Sequence, residues 1–414
     1  MKSARCLAFE TLYKIFSDDA YSNLALDAVL SDVKGKDRAF VTGLVYGVTE
    51  RKITLDYLLA PYLTGKTKPK VKIILYLGTY QLYFMDKVPA SAAINESVKL
   101  AGETGCSYYK SLINAVLHKV NSNRISLAEI DNLSVRYSCP QPLINMWQKQ
   151  YGEEATLQIL TASLGKPPVF AVPNRLFVDA DELQYELLNE GIDCETDGEL
   201  VKINAAAELV KTKAFANGLF HIEDKSAYEC ACALTPLPTD TVLDVCAAPG
   251  GKTFTLASFM RQGKVISCDL YTHRVKLIHD GAERLCLDNV EALQNDACAL
   301  NEAFPKVDKV LCDVPCSGFG IIRRKPEVKY KALDDIKELP ILQRQILTVS
   351  SEYLKPGGIM IYATCTLNRK ENEKVVAAFL ADRPQFELVS DKTVFPSADG
   401  GDGFYYALLK KTND

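Results

Sequence analysis

The sequence predicts an α/β protein whose C-terminal half folds as a doubly wound, mostly parallel sheet. Three observations support this prediction. Apolar strand-like runs alternate with helix-length amphipathic segments after residue 226, residues 1–125 show helical periodicity, and the region between them changes period several times. With 414 residues, the chain is long enough for two or three domains.

The first domain is expected to be an all-α bundle that ends near residue 125. Apolar residues recur with helical period close to the N-terminus and again from Leu112 to Val120. Between these stripes lie three helix-length segments that are separated by prolines and glycines: 37–63, 71–85 and 90–101. The pattern favours about six short helices. Residues 126–165 are expected to form a helical linker region.

Residues 166–225 are expected to form a small α/β module. A strand-like VFAVP is followed by the helical pattern DADELQYELLNEG, two short strands and the run LFHIED. This order is typical of an RRM-like topology. The aromatic-rich strand motif of a true RRM is not present, so the sequence predicts the topology alone.

The last region, 226–414, is expected to be the doubly wound domain. Its apolar strand-like runs are 241–249, 264–270, 309–315 and 359–364. Strands joined by helical crossovers are parallel, and ligands bind at their carboxyl ends. The final run 404–411 alternates in character and is expected to be an antiparallel edge strand.

Composition excludes several classes of function. The 13 cysteines include no C-x-x-C pair, and the four histidines show no metal-binding spacing, so we expect neither a metal site nor a disulfide framework. No secretory signal or membrane-length apolar run appears. The net charge is −4, although residues 1–120 carry 16 basic and 11 acidic residues. We expect a cytoplasmic monomer with no membrane partner.

A glycine-containing loop follows the first strand of the last domain. The strand ends at Asp244, and the loop presents amide groups at the start of a helix without the G-x-G-x-x-G pattern of pyrophosphate-binding loops. Asp269 ends the next strand, where a carboxylate can accept ribose hydroxyls, and Asp296 follows the third, where it can meet an adenine edge. Either aspartate can instead cap a helix. This order favours a nucleoside without pyrophosphate, which indicates S-adenosylmethionine. The residues expected to bind this cofactor are Cys246, Ala247, Ala248, Pro249, Gly250, Gly251, Lys252, Asp269 and Asp296.

Five segments resemble a known family. The segments 246-CAAPGGKT-253, 311-LCDVPCSGFGIIRRKPE-327 and 362-YATCTL-367 are similar to motifs I, IV and VI of the RNA 5-methylcytosine methyltransferases of the Sun/Fmu (RsmB) type. The segments 37-DRAFVTGLVYGV-48 and 89-PASAAINESVKLA-101 resemble the NusB-like RNA-binding domain that precedes some of these enzymes. The resemblance extends over nearly the whole chain.

The resemblance implies a class I S-adenosylmethionine-dependent methyltransferase fold, Rossmann-like, preceded by a NusB-like bundle. It further implies methyl transfer to carbon 5 of a cytosine in 16S rRNA, at the site numbered 967 in the family. The expected partner is 16S rRNA or an early assembly intermediate of the small subunit.

The chemistry requires a cysteine. Carbon 5 of cytosine is a poor nucleophile, and a thiolate that adds to carbon 6 activates it. Two cysteines follow predicted strands, Cys316 and Cys365, and residue type alone does not choose between them. The resemblance assigns the attack to Cys365, product release to Cys316, and contact with the cytosine and the cofactor to Asp313. Lys252 is either the electrostatic partner of Asp313 or a solvent-exposed lysine.

Basic residues follow motif IV. Arg323, Arg324 and Lys325 are expected to hold phosphates of the target strand, because phosphate contacts position nucleic acid on a protein. The target base must be unpaired or flipped out of its stack. Near the C-terminus, Asp402-Gly403-Phe404 resembles the D-G-F signature of the family, where Phe404 either lines the substrate cleft or packs in the core.

Three alternatives stay open. A nonenzymatic NusB-like RNA-binding or antitermination factor would show a broken cofactor loop or lack a cysteine. A methyltransferase for another RNA, such as tRNA, would carry the same motifs. A methyltransferase for a protein or a small molecule would need no thiol nucleophile at a strand end.

Overall fold

The computed structural model describes residues 2–18, 22–30, 33, 35–204 and 206–412. It divides into two compact units. The first contains the described residues up to Thr156, together with Ser163–Gly165 and Ile322–Leu333. The second contains Leu157–Ala162, Lys166–Ile321 and the described residues from Asp334 onward. The basic turn after motif IV therefore belongs to the first unit.

The first unit is all-α, as predicted. Its helices are α1 (Ala4–Ser17), α2 (Ser22–Leu30), α3 (Gly35–Leu59), α4 (Pro69–Phe84), α5 (Ala90–Glu103), α6 (Lys110–Ser122), α7 (Leu133–Arg136) and the greater part of α8 (Gln141–Ala162). Short 3-10 helices lie at Ala60–Tyr62, Ser107–Tyr109, Leu127–Glu129 and Pro326–Tyr330. Pro69 begins α4, where its missing N–H costs nothing, and Gly152, with a φ of 84°, interrupts α8. Within the described parts of the chain, no helix is both long and apolar enough to span a bilayer.

The segment Ile322–Leu333 is hydrogen-bonded into the helical unit. The carboxylate of Glu327 accepts bonds from the Ser22 amide at 3.1 Å and the Ser22 hydroxyl at 2.8 Å, at the first residue of α2. Lys329, which is 2% exposed, donates to the carbonyl of Glu50 at 2.6 Å. A stretch that follows motif IV in sequence is thus part of the helical unit in space.

The small module has the predicted RRM-like topology. Its elements in chain order are β1 (Val169–Pro173), α9 (Ala180–Asn189), β2 (Cys194–Asp197), β3 (Leu200–Ile203), a 3-10 helix (Ala206–Lys211), α10 (Lys213–Ala216) and β4 (Phe220–Glu223). The sheet order is β2-β3-β1-β4, and all neighbouring strands are antiparallel. This order belongs to the β-α-β-β-α-β arrangement.

The last region forms a seven-stranded sheet, and helices follow all of its parallel strands except β7 (Val290–Gln294). Its elements are α11 (Lys225–Ala233), β5 (Thr241–Asp244), α12 (Gly251–Phe259), β6 (Lys264–Asp269), α13 (Thr272–Arg284), β7 (Val290–Gln294), β8 (Val307–Asp313), α14 (Leu339–Glu352), β9 (Leu354–Thr364), α15 (Glu373–Asp382), β10 (Phe386–Val394) and β11 (Phe404–Lys411). The order is β10-β11-β9-β8-β5-β6-β7. The pairs from β9 to β7 are parallel, which confirms the doubly wound prediction.

The prediction for 404–411 is correct in direction and wrong in position. β11 is antiparallel to its neighbours, but it lies between β9 and β10 and is not an edge. The edge strand on this side of the sheet is β10, whose sequence FELVSDKTV is mostly exposed and carries too little apolar pattern to be recognised. β11 is largely buried because it has a strand on each side.

The parallel register brings three carboxylates to one edge of the sheet. Asp244, Asp269 and Asp313 are the last residues of β5, β6 and β8, and Cys365 directly follows β9. These four strands are hydrogen-bonded neighbours, so their carboxyl ends meet where an open α/β sheet binds ligands.

Candidate active site

Asp244 places a buried carboxylate at the start of the motif I loop. Its Oδ2 accepts a hydrogen bond from the Thr253 hydroxyl at 2.7 Å, whereas its Oδ1 is buried and has no hydrogen-bond partner among the described residues. Burial raises the pKa of Asp244 to about 7. A buried acceptor without a donor is rare in a native fold, so it indicates a place where a ligand can donate.

The glycines of the motif I loop leave room that no other residue would leave. Gly250 has a φ of 115°, and a Cβ there would lie 2.3 Å from the ring of Phe254. A Cβ on Gly251 would lie 2.6 Å from a carboxylate oxygen of Glu223. The positive φ therefore favours glycine at position 250, whereas a side chain at position 251 would displace the carboxylate of Glu223.

Asp269 is held by the following turn and helix. Its side chain is 3% exposed, and it accepts a hydrogen bond from the Tyr271 amide at 3.3 Å and pairs with Arg274 at 3.2 Å. Arg274 also donates to the carbonyl of Ala248 at 2.8 Å, so it joins the end of β6 to the motif I loop. Because a carboxylate offers about four acceptor positions, Asp269 retains capacity for ribose hydroxyls. Arg274 was not predicted from the sequence, where its signal is a basic residue at the start of the helix after Asp269.

Asp296 is exposed and serves a local turn. Its Oδ1 accepts a hydrogen bond from the Cys298 amide at 2.9 Å within a turn, which differs from the helix cap that the sequence left open. Its contact with an adenine edge stays a prediction.

Lys252 and Asp313 form an ion pair at the carboxyl ends of the parallel strands. Lys252 Nζ lies 2.7 Å from Asp313 Oδ2, and the side chains are 12% and 27% exposed. Burial would lower the pKa of Lys252, but the charges of Asp313 and Glu223 outweigh it and hold that pKa above its ordinary value. The ammonium also lies 5.1 Å from the centre of the Phe404 ring, so Phe404 of the D-G-F segment is a neighbour of this pair.

The two strand-end cysteines are in contact. Cys316 Sγ and Cys365 Sγ lie 3.2 Å apart, and both side chains are partly exposed. The contact with Cys365 and burial together raise the pKa of the Cys316 thiol. Cys316 therefore rests as a thiol, next to a sulfur to which it can donate a hydrogen bond.

Backbone contacts fix the motif IV loop against the end of β9. The Val314 amide donates to the carbonyl of Ala363, and the Gly320 amide donates to the carbonyl of Cys365, both at 3.0 Å. Gly320 also accepts from the Gly403 amide at 2.9 Å, and a Cβ on Gly320 would lie 1.9 Å from the Gly403 oxygen. The D-G-F segment thus approaches this loop at a distance that only glycine allows.

The basic residues after motif IV differ in exposure. Arg323 is 5% exposed, whereas Arg324 and Lys325 are half-buried. Arg324 and Lys325 present more surface to a phosphate than Arg323 does. Contact of all three with RNA stays a prediction.

Comparisons with known proteins identify the family of this chain. The sequence profile of the family described as 16S rRNA methyltransferase RsmB/F matches residues 231–410, and that of the NusB family matches residues 2–122. The chain is 36% identical to the probable ribosomal RNA small subunit methyltransferase B of Bacillus subtilis, over 99% of each chain. The chain belongs to the RsmB/F family.

Two solved structures show the same fold. The crystal structure of PH0851 covers 99% of each chain with a TM-score of 0.83 at 24% identity. A methyltransferase homologue from Pyrococcus horikoshii covers 69% of this chain and 100% of its own, with a TM-score of 0.60 at 27% identity. The predicted fold class and family resemblance are confirmed.

The enzyme is an S-adenosylmethionine-dependent methyltransferase for small-subunit ribosomal RNA, which confirms the predicted cofactor. The residues present fit this cofactor. The unpartnered oxygen of Asp244, the glycine-restricted loop after it and the spare acceptor positions of Asp269 together suit a nucleoside that carries an amino group and ribose hydroxyls. Family membership favours an enzyme over the nonenzymatic RNA-binding alternative.

Asp269→Ala is expected to weaken the binding of S-adenosylmethionine. The change removes one or two charge-assisted hydrogen bonds, each of about 1.5 to 3 kcal/mol, so the dissociation constant should rise by at least about tenfold. Isothermal titration calorimetry measures it. Asp280→Ala, which removes an exposed carboxylate from α13, is the matched control and should bind normally. Unchanged affinity in Asp269→Ala would exclude the ribose assignment.

Proposed function

We propose that the enzyme transfers a methyl group from S-adenosylmethionine to carbon 5 of one cytosine in 16S rRNA, at the 967-type site, through a covalent adduct with Cys365. The observation that carries the proposal is the 3.2 Å contact of two thiols at the sheet edge that also holds Asp313 and Lys252. A methyltransferase that acts on an amine or a hydroxyl has no need of a thiol pair. We place this reaction in the cytoplasm.

The first step is the addition of Cys365 to the base. The Cys365 thiol gives its proton to water, a bond forms between Cys365 Sγ and carbon 6, and the electron pair of the ring's double bond makes carbon 5 nucleophilic. Negative charge spreads toward N3 of the ring. Asp313 contacts this edge of the cytosine, and the ammonium of Lys252, 2.7 Å from Asp313, supplies the positive charge that offsets it.

The last step is release. When bound, S-adenosylmethionine supplies the methyl group to carbon 5. A water molecule that acts as a base then takes the proton from carbon 5, the electron pair of that C–H bond restores the double bond, and the bond from carbon 6 to Cys365 breaks. The thiol of Cys316, 3.2 Å from the departing sulfur, donates a hydrogen bond that stabilises the Cys365 thiolate. The raised pKa of Cys316 keeps it in this donor form.

RNA binding requires basic side chains for the phosphates and a target base that has left its stack. We propose that Arg324 and Lys325, with Arg323, contact phosphates on the target strand. The cytosine must leave any stack before its carbon 6 can approach a sulfur.

Bisulfite sequencing of ribosomal RNA tests the proposed function. A strain without the enzyme should lose one 5-methylcytosine from 16S rRNA, and the wild-type gene should restore it while a Cys365→Ala gene should not. Loss of a methylated cytosine from tRNA alone would contradict the 16S assignment. An unchanged pattern in every RNA would contradict the reaction itself.

A further inference from the structure

Glu371 is a buried carboxylate between the two cysteine-bearing loops. It lies in the turn between β9 and α15, with 0% of its surface exposed. We propose that Glu371 is a positioning residue that sets the distance between Cys316 and Cys365. The inference rests on the proposed function for its catalytic meaning, but its geometric content can be tested without RNA.

Four donors surround the carboxylate. Oε2 accepts from the Ser317 amide at 2.9 Å and from Gln343 Nε2 at 3.0 Å. Oε1 accepts from the Ser317 hydroxyl at 2.6 Å and from Asn368 Nδ2 at 2.9 Å. All four donors are neutral groups, and each is itself buried. Removing a charge from water requires such compensation, so the site is built around an anion.

These donors come from the loops that carry the two sulfurs. Ser317 is the residue after Cys316, and Asn368 is three residues after Cys365. One carboxylate therefore bonds to both loops at once. Gln343 of α14 adds a third attachment, since its Nε2 also donates to the carbonyl of Pro315 at 2.9 Å. Loss of the carboxylate would remove the attachment next to Cys316, while the bonds from the Val314 and Gly320 amides to the end of β9 would remain.

A glutamine cannot replace this glutamate. Its side chain has one acceptor oxygen and one donor group, so at least one surrounding N–H would face another N–H. The backbone amide of Ser317 cannot reverse its direction. Turning the amide group of Asn368 would cost the bond that its Oδ1 accepts from the Lys370 amide at 3.2 Å. Glu371→Gln is therefore a small change in shape with a specific effect on hydrogen bonding.

Oxidative cross-linking reports the distance between the sulfurs. Diamide takes up two hydrogens as two thiols become a disulfide, and mass spectrometry of peptides identifies the Cys316–Cys365 bond among the 13 cysteines. The wild-type enzyme should form this bond rapidly. In Glu371→Gln the rate should fall by about tenfold or more, the loss expected from one charge-assisted hydrogen bond. Glu373→Gln, the same substitution two residues later at a side chain that faces Arg369, should react like the wild type.

Ser317→Ala provides the same test if Glu371→Gln does not fold. Ser317→Ala removes the hydroxyl donor and keeps the amide, so it should slow cross-linking less than Glu371→Gln but in the same direction. Thermal unfolding identifies variants that fold. If the folded Glu371→Gln, or Ser317→Ala where the first does not fold, cross-links at the wild-type rate, the positioning role is wrong.

Kinetics with RNA separate positioning from general damage. Glu371→Gln should lower kcat and prolong the covalent adduct, while KM for RNA and the affinity for S-adenosylmethionine stay near wild-type values. A rise in KM with kcat unchanged would contradict the proposal. The two proposals can fail separately. If Glu371→Gln slows cross-linking but the wild type methylates no cytosine, the proposed function is wrong and the positioning role still holds.

Discussion

Cys365→Ala is expected to abolish methylation of the target cytosine. Without the sulfur, no bond forms to carbon 6 and carbon 5 stays unreactive, so the rate should fall by roughly 10⁴-fold or more, as when other catalytic nucleophiles are removed. Transfer of a labelled methyl group from S-adenosylmethionine to an rRNA fragment measures the loss. Binding of the cofactor should persist, because the motif I loop and Asp269 are untouched.

The control for this variant is a cysteine away from the site. Cys286 is exposed near the end of α13, and Cys286→Ala should methylate at the wild-type rate. Full activity in Cys365→Ala would transfer the role of nucleophile to Cys316. The 3.2 Å contact between the sulfurs makes that outcome chemically reasonable, so the variant is decisive.

Cys316→Ala is expected to trap the enzyme on its product. The adduct with Cys365 still forms, but the departing thiolate loses its hydrogen-bond donor, so release slows. A denaturing gel with labelled RNA should show a protein–RNA band that survives denaturant and is faint or missing with the wild type. The band should disappear in the double variant Cys316→Ala/Cys365→Ala. No band in the single variant would reject a role for Cys316 in release.

The sequence was sufficient to predict the parallel sheet and the side chains that lie at the carboxyl ends of its strands. Alternating strands and helices predicted the parallel sheet, and a parallel sheet brings the ends of neighbouring strands together whatever the distance between them in sequence. That rule explains why Asp313 and Cys365 could be assigned to one edge. The rule does not predict β10, because this strand is mostly exposed and its sequence lacks the apolar pattern of a strand.

Apart from the pair of Lys252 and Asp313, the contacts of side chains with distant parts of the chain were not predicted. Arg274 contacts Ala248, and Glu371 contacts Ser317, through loops whose course no local periodicity encodes. The same limit applies to Ile322–Leu333, which follows motif IV in sequence and nevertheless belongs to the helical unit. Composition and spacing indicate which elements form, whereas side-chain partners depend on how the chain returns on itself.

Membership of Ile322–Leu333 in the helical unit constrains the order of events during synthesis. Domains generally fold from the N-terminus as the chain emerges from the ribosome. Here the bonds that Ser22 donates to Glu327 and that Lys329 donates to Glu50 cannot form until residue 329 has been translated, which is after the residues of β5 to β8. The first unit to begin folding is therefore completed late, and a polypeptide that stops at residue 156 would lack both attachments.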